Sequence, residues 1–570
     1  MQGASIKYGD VAPGAKENFA PTASETEFNT LGQLQMYNLD FPNYANPCEL
    51  YQTALDGKAV PFPTVSDQTN VGLWSERISN DKGLFVDDEA NEKPIVLTLT
   101  ANGQYSSQGL TLTFDTYNSI YCNHLNIKWY RNGQLIVDDG KSMNIDFYPD
   151  NAFYFCRNQV NNYDKVVITF YSLNMPKNRL KLHSVDYGYG TYFYGRELRN
   201  VKLLQSIDPI STEININTVD FTLDSKTDME YSFQAKQPLS VYFNDRLLAT
   251  TFVKSSQRKS RFLWEIQGED YVGLLDGITF YGGMYKDKNA VELLEEIFTI
   301  AKIPYTIEAL FQDVAVSGYI PICSCRVAVM NVAFAIGAVV DTSNSETVDV
   351  YVLSDEVKQT IQLNRIMQGQ SFEEEDTVTG VEVAMHSYKL ITETVDVYDS
   401  NESGTGQNIL VKFSEPLHDL SITNGTFALD ENGEELKHTN YAVINANENC
   451  ILRGQKYEHI TQTRRENNPL VLENEIENVV SIEDATLVSM SNIEAVLDRC
   501  FRWFVLTRKI NCSILEGKNT VNGVVTYDES VNVGETIETE TEYLGNLSGK
   551  IIEQACTLNG SIIIKDVVMR

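Results

Sequence analysis

Leu125-Asn126-Ile127-Lys128-Trp129-Tyr130-Arg131-Asn132-Gly133-Gln134-Leu135-Ile136-Val137 is the stretch that decides the fold. Leu125, Ile127 and Trp129 alternate with Asn126, Lys128 and Tyr130, the period of a strand with one buried face. Asn132-Gly133 then sits between two apolar runs. A two-residue hairpin turn needs φ > 0 at both central residues, and Asn-Gly supplies it at least cost. Upstream, Pro94-Ile95-Val96-Leu97-Thr98-Leu99-Thr100 runs into Ala101-Asn102-Gly103, and Gly109-Leu110-Thr111-Leu112-Thr113-Phe114 alternates strictly. Downstream, Val166-Val167-Ile168-Thr169-Phe170 and Leu180-Lys181-Leu182-His183-Ser184-Val185 continue the texture. Short strands at this spacing, with almost no helix between them, predict a β-sandwich over 71–188.

The chain around that sandwich has 570 residues, more than one hydrophobic core can serve, so several domains are expected. Thirty Tyr and 25 Phe favour pleated, half-buried surfaces, and an apolar share of 42% with 22% charged residues is ordinary for a globular protein. The fold class is therefore mainly β with a minor α+β part. Residues 1–70 are rich in turn formers such as Ala12-Pro13-Gly14 and Pro61-Phe62-Pro63, and read as an extended arm.

Beyond the sandwich, 189–285 is again strand-rich. Val219-Asp220-Phe221-Thr222-Leu223 alternates, and Pro238–Phe243 and Leu247–Val253 flank the turn Asn244-Asp245-Arg246. Helices enter with 286–370. Asn289 and Glu292 resemble a capping pair ahead of an apolar face of Val291, Leu294, Ile297, Phe298 and Ala301. Ser324 is placed to cap a second helix that stops at Gly337, where a glycine can turn left-handed. Glu373-Glu374-Glu375-Asp376 reads as a solvated loop, and about 395–440 reads as loops or hairpin tips within a loop-rich β region, 371–475. In 476–570, Ser491 and Glu494 form an S-x-x-E start for a third helix, and strands return through Gly534–Thr539, Gly549–Ile552 and Ser561–Ile564.

The charge narrows the function. Forty-five basic against 78 acidic residues give a formal charge of −33, a field that repels phosphate and argues against a nucleic-acid reader. Solubility is the plain reading; in a channel protein, an acidic wall would let DNA pass without sticking. No stretch reaches the roughly 20 apolar residues of a membrane span. Met1–Lys7 lacks the apolar run of a secretion signal, so no membrane anchor is expected and the chain reads as made in the cytoplasm.

Nine cysteines, at 48, 122, 156, 323, 325, 450, 500, 512 and 556, form no C-x-x-C pair and read as reduced, buried thiols. Six histidines, at 124, 183, 386, 418, 438 and 459, form no H-E-x-x-H or H-x-H, so no metal and no cofactor is expected. G-x-S-x-G elbows and Gly-rich phosphate loops are absent, and no enzyme is expected. In the sandwich, Tyr105, Trp129, Tyr130, Tyr148 and Tyr154 offer aromatic faces. Trp129 and Tyr105 are the candidate glycan contacts, with cross-strand packing as the competing reading. Trp129 and Tyr130 point to opposite faces of a regular strand, so only one of them can be exposed.

Three stretches carry a resemblance to the tail hub proteins of tailed phages and related contractile particles. The first is Gln237–Arg246 with Glu269-Asp270-Tyr271-Val272-Gly273-Leu274-Leu275-Asp276, similar to a hairpin in the first hub barrel that ends in a D-x-x-x-L-L-D-like turn. The second is Ala290–Ile297 with Ile303-Pro304-Tyr305 and Val316–Pro321, similar to the family's α/β insert. The third is Val533–Ile537 with Gly549–Glu553, similar to the closing barrel. The resemblance spans about 190–570. It implies a first hub barrel at 189–285, an α/β insert at 286–370 and a closing hub barrel at 476–570. It also implies a homotrimer around a channel, joining the tail tube or distal tail proteins to the spike, fibre and other baseplate proteins. DNA would pass only as cargo, and the chain would reside in the virion tail tip after assembly in the host cytoplasm. Residues 71–188 depart from the hub pattern and resemble the jelly-roll, carbohydrate-module-like domains of some tail proteins. That implies a host-surface glycan as an alternative target, beside a role as a spacer.

Overall fold

The structure is a computed structural model that describes residues 3–12, 15–23, 73–87, 89–115, 118–138, 140–225, 233–244, 246–367, 369–430, 433–471, 476–516, 518–521, 524–527, 529–541, 544–559 and 562–570. Most of the arm expected over 1–70, with Cys48, and the turn residue Asp245 lie outside them. The protein is mainly β, with 60% strand and 12% helix among the described residues. It divides into two compact units, one of residues 7–192 and one of 193–570 with the first six residues.

In the 7–192 unit, two strands of 20 and 21 residues, Ile95–Phe114 and Phe153–Leu173, run antiparallel along most of their length. The first continues through Ala101-Asn102-Gly103. No turn forms there, because the strand is bent rather than broken: register shifts between Arg157 and Lys165 absorb the extra residues. Gly109 permits the close approach, since at φ +141° a Cβ there would lie 2.2 Å from the Cys156 carbonyl oxygen. Cys122–Arg131 pairs with the C-terminal part of Phe153–Leu173, and Arg179–Asp186 with the C-terminal part of Ile95–Phe114. Ala20–Ala23, the described end of the expected arm, is a strand of this sheet, paired with Leu97–Thr100. At the expected hairpin, Asn132 and Gly133 take φ of 49° and 75°, and Arg131 pairs with Gln134. The inward residues Leu97, Leu99, Leu110, Leu112, Phe114, Leu125, Ile127, Val166, Ile168 and Phe170 make the core. Beneath it Lys181 and Asp115 form a buried ion pair at 2.7 Å.

In the 193–570 unit one sheet gathers strands from both ends of the segment. Pro238–Phe243, Arg246–Arg258, Leu263–Glu269, Thr218–Asp224, Leu198–Ser206, Gly545–Asn559, Ile562–Met569, Arg508–Glu516 and Ser371–Glu374 follow one another as neighbours. The segments assigned to a first and a closing barrel thus share a sheet, joined where Val201–Ser206 pairs with Glu553–Leu558. Lys565 and Glu516, both almost fully buried, form an ion pair at 2.9 Å behind it.

The α/β part packs three helices, α1 (Tyr271–Asp276), α2 (Ala290–Ala301) and α3 (Cys325–Ile336), with the strands Tyr305–Ile307, Val348–Tyr351 and Val339–Asp341. Asn289 caps α2 through Glu292 N at 3.1 Å, and Ser324 caps α3 through Val327 N at 3.4 Å. Gly337 closes α3 at φ 79°. Leu294, Ile297, Phe298 and Ala301 are buried as the helical period demands, with Val291 at the margin. The D-x-x-x-L-L-D-like stretch read as a turn is α1, because Asp270 caps two of its amides. Gly318, at φ +150°, lies where a Cβ would come within 2.3 Å of the Thr486 carbonyl oxygen. Gly318→Ala is expected to cost on the order of 2 kcal/mol in thermal unfolding. Gly283→Ala, where a Cβ meets nothing nearer than 3.9 Å, is the control and should be close to neutral.

Three local expectations are corrected. Ser491 does not cap the last helix, α4 (Ile493–Phe504); its hydroxyl bonds Ser489 Oγ at 2.8 Å, and the cap position falls to Asn492. The acidic run is a loop only in its second half, Glu375-Asp376. Ser371–Glu374 is a strand paired with Arg508–Asn511, and Glu374 and Glu375 are held by Arg508, Lys509 and Arg570. The region read as loops or hairpin tips around 395–440 is in part sheet. Gly380–Asp399 and Tyr441–Asn467 form a ribbon onto which Gly406–Lys412 and Leu417–Phe427 pair. Its core is narrow, with Tyr398, Val411, Leu417, Ile444 and Leu452 at its centre, so polar residues dominate the strands and mask their period.

Candidate functional site

Strand alternation settles the aromatic residues of the 7–192 unit. Fully burying a side chain of this size is worth about 2–3 kcal/mol, so the larger and less polar Trp129 turns inward and Tyr130 outward. Trp129 is 0% exposed, edge-on to Phe147 at 6.5 Å. Its indole is closed to any glycan, which corrects the reading of Trp129 as a contact. Tyr105 is half-buried against the core, 5.4 Å from the Phe19 ring. The two residues do not meet on an open face. Tyr130 lies on the outward face, with Lys165 Nζ 5.3 Å from its ring centre.

The same outward face carries a column of rings. Tyr148 stacks on His124 at 4.8 Å and 7°, and His124 on Tyr171 at 4.6 Å and 21°. Tyr148 is 66% exposed. His124 Nε2 lies 3.5 Å from Asp146 Oδ1, and Asn126 Nδ2 donates to Asn144 Oδ1 at 2.8 Å. Tyr148 was legible as one aromatic among five; its partner His124 was not, because cross-strand stacking depends on register.

In the other unit a cavity of about 670 Å³ is lined by Asp341, Asp349, Tyr351, Lys358, Asn532 and Glu535 among others. Burial raises the Asp341 carboxyl above the usual carboxylate range, and Tyr351 OH donates to it at 3.2 Å. Burial, with Asp341 beside it, also raises the Tyr351 hydroxyl. Glu535 accepts from Asn532 N at 3.0 Å and Asn532 Nδ2 at 2.8 Å, and pairs with Lys358. Four carboxyl groups, Asp341, Asp349, Glu356 and Glu535, line it against the single lysine Lys358, and the lining is acidic.

The ribbon brings together two histidines 73 residues apart: His386 Nδ1 lies 2.9 Å from His459 Nε2. Burial, and then His459, lower the pKa of His386. No cluster of three or more His, Cys, Asp or Glu placed to hold a metal occurs among the described residues. The eight described cysteines are free thiols, all buried except Cys323, which is partly exposed. Burial raises Cys122 and Cys500 to about 12, away from nucleophile chemistry.

No protein-family model matches the chain, and no curated protein matches it in sequence. Among solved structures, the tail protein from Neisseria meningitidis MC58 is similar with 10% identity and a TM-score of 0.42, over 67% of this chain and 94% of that one. The 43 kDa tail protein of prophage MuSo2 from Shewanella oneidensis is similar with 7% identity and a TM-score of 0.41, over 67% and 96%. Prophage tail protein gp18 from Listeria monocytogenes EGD-e is similar with 11% identity and a TM-score of 0.34, over 66% and 91%.

Proposed function

We propose that the protein is a structural tail hub or baseplate component of a phage or phage-like particle. In this reading it is a non-enzymatic homotrimer around a channel, joining the tail tube to the spike or fibre machinery in the virion tail tip, with DNA passing as cargo. Residues 189–285 and 476–570 serve as the barrel parts, 286–370 as the α/β insert, 371–475 as a loop-rich β region and 71–188 as an accessory sandwich of jelly-roll type.

The observation that carries this reading is the open edge of the large sheet. Ser371–Glu374 pairs on one side with Arg508–Asn511, and no strand covers its other side among the described residues. All four residues are exposed, including Phe372 at 37%. An edge with free backbone groups and an exposed aromatic side chain is a template for a neighbouring chain, and closed rings of identical subunits satisfy such edges without leaving one over. The three hub-like stretches support the same assignment.

Light scattering coupled to size exclusion is expected to give three times the 64.3 kDa protomer mass, with a three-fold ring in negative-stain images. A monomer persisting at micromolar concentration would overturn the hub reading. A second reading, in which the sandwich binds surface glycan, is favoured by the exposed column of Tyr148, His124 and Tyr171.

A further inference from the structure

The column is assembled from three strands by a departure from regular pairing. Asn126 faces Asp146 across the strand pair, so Asp146 and the next outward residue, Tyr148, lie on the outward face beside Asn126 and His124. On the other side Phe170 faces Leu125 while Ser172 faces His124, so Tyr171 is the extra residue of a β-bulge. A bulge re-aims a side chain, and here it brings the Tyr171 ring over the imidazole at 4.6 Å. A near-parallel column buttressed at its inner end leaves Tyr148, its outer ring, rigid and 66% exposed. Polar groups surround it. Asp146 and Asn144 are exposed, whereas Asn126 is 6% exposed with a buried Oδ1 that has no hydrogen-bond partner.

We propose that Tyr148, buttressed by His124 and Tyr171, is the stacking platform of a glycan site, and that it takes a neutral chain of β-linked pyranose units. Such a sugar offers one face of axial C–H bonds to an aromatic ring and a rim of equatorial hydroxyls. Asp146 accepts from those hydroxyls, and Asn144 both donates and accepts. A rigid aromatic residue supplies contact area at low entropic cost. The Asp146 carboxylate at the platform and the chain's formal charge of −33 disfavour anionic polymers. This site rests on the second reading above and replaces Trp129 and Tyr105 as its contacts.

The test is affinity electrophoresis of the full-length chain in native gels cast with hydroxyethylcellulose, a soluble β-1,3-glucan or glycol chitin. Retardation by at least one polymer is expected. Tyr148→Ala and His124→Ala should each weaken it by about tenfold or more while leaving the melting temperature within a degree or two. Retardation that both variants retain would overturn this site and leave the glycan reading standing. No retardation of the unaltered chain by any of the three polymers would overturn both.

Discussion

Lys181→Met is expected to remove about 3–5 kcal/mol from the stability of the 7–192 unit, the cost of stranding one partner of a buried ion pair. Lys181 and Asp115 are 5% and 2% exposed, and the ammonium reaches Asp115 Oδ2 at 2.7 Å. Burial works against the Asp115 carboxylate, but Lys181 and then Asn118 outweigh it, so the carboxyl titrates below its ordinary range. With methionine in place of the ammonium, only Asn118 would remain to offset that burial. Calorimetry should show the transition of this unit lowered by roughly 6–20 °C. The double replacement Lys181→Met with Asp115→Leu should recover most of the loss, because an apolar pair of similar volume needs no desolvated charge. The depressed Asp115 pKa also fixes a pH effect. The stabilisation is complete above the unfolded carboxyl pKa of about 4 and is lost as pH falls through the lower folded value. A single variant as stable as the unaltered chain would show that the pair contributes nothing.

Asp270 is the second position where a large effect is expected. Its carboxylate accepts from Val272 N, Gly273 N, Asn217 N and Thr342 Oγ1 at 3.0, 3.3, 3.0 and 2.6 Å, and so ties α1 to the neighbouring strands. Asp270→Ala leaves buried amides without an acceptor and should cost about 3 kcal/mol or more. Asp270→Asn keeps an oxygen acceptor for Val272 N and Gly273 N and can donate to Thr342, but it sets an NH2 against the Asn217 N–H, so it should cost about 1–2 kcal/mol at pH 7, less than Asp270→Ala. The two differ from the natural residue in pH response as well. Burial raises the Asp270 pKa to about 6, above the unfolded 3.8, so the folded chain binds more protons between those values. Its stability therefore falls as pH rises across that window, by up to about 3 kcal/mol, and levels off above it. Unfolding curves at pH 4, 5, 6 and 7 should show this slope in the natural chain and none of it in Asp270→Asn. An equal slope in both would assign the effect to another group.

Much of the fold was legible in local signals. The Asn132-Gly133 hairpin, the Asn289 and Ser324 caps and the Gly337 stop each depend on a few neighbouring residues, and each forms as read. What escaped the reading is what depends on distant pairing. The polar Gly380–Asp399 and Tyr441–Asn467 strands find each other across a narrow core, and the ribbon has little apolar period of its own to announce it. The first half of the acidic run, Glu373-Glu374, becomes part of an edge strand, with Arg508, Lys509 and Arg570 beside Glu374 and Glu375. The glycan candidates show the same division. Alternation gave the rule that Trp129 and Tyr130 must face opposite ways, but not which way. The stack at His124 rests on a bulge that no spacing encodes.

The pairing of Val201–Ser206 with Glu553–Leu558 has a consequence for how the chain is made. At roughly 5–20 residues per second, the ribosome needs roughly 17–70 s after releasing residue 206 to deliver its hydrogen-bonding partner near 553. During that interval the inner strand of the sheet is an unsatisfied edge in the crowded cell. The sheet can close only once the residues near 553 have been made, so its folding lags well behind its first strands and is slow. Halting synthesis short of residue 545 would leave that edge open for good, and such fragments are expected to accumulate in the insoluble fraction while the 7–192 unit within them stays folded.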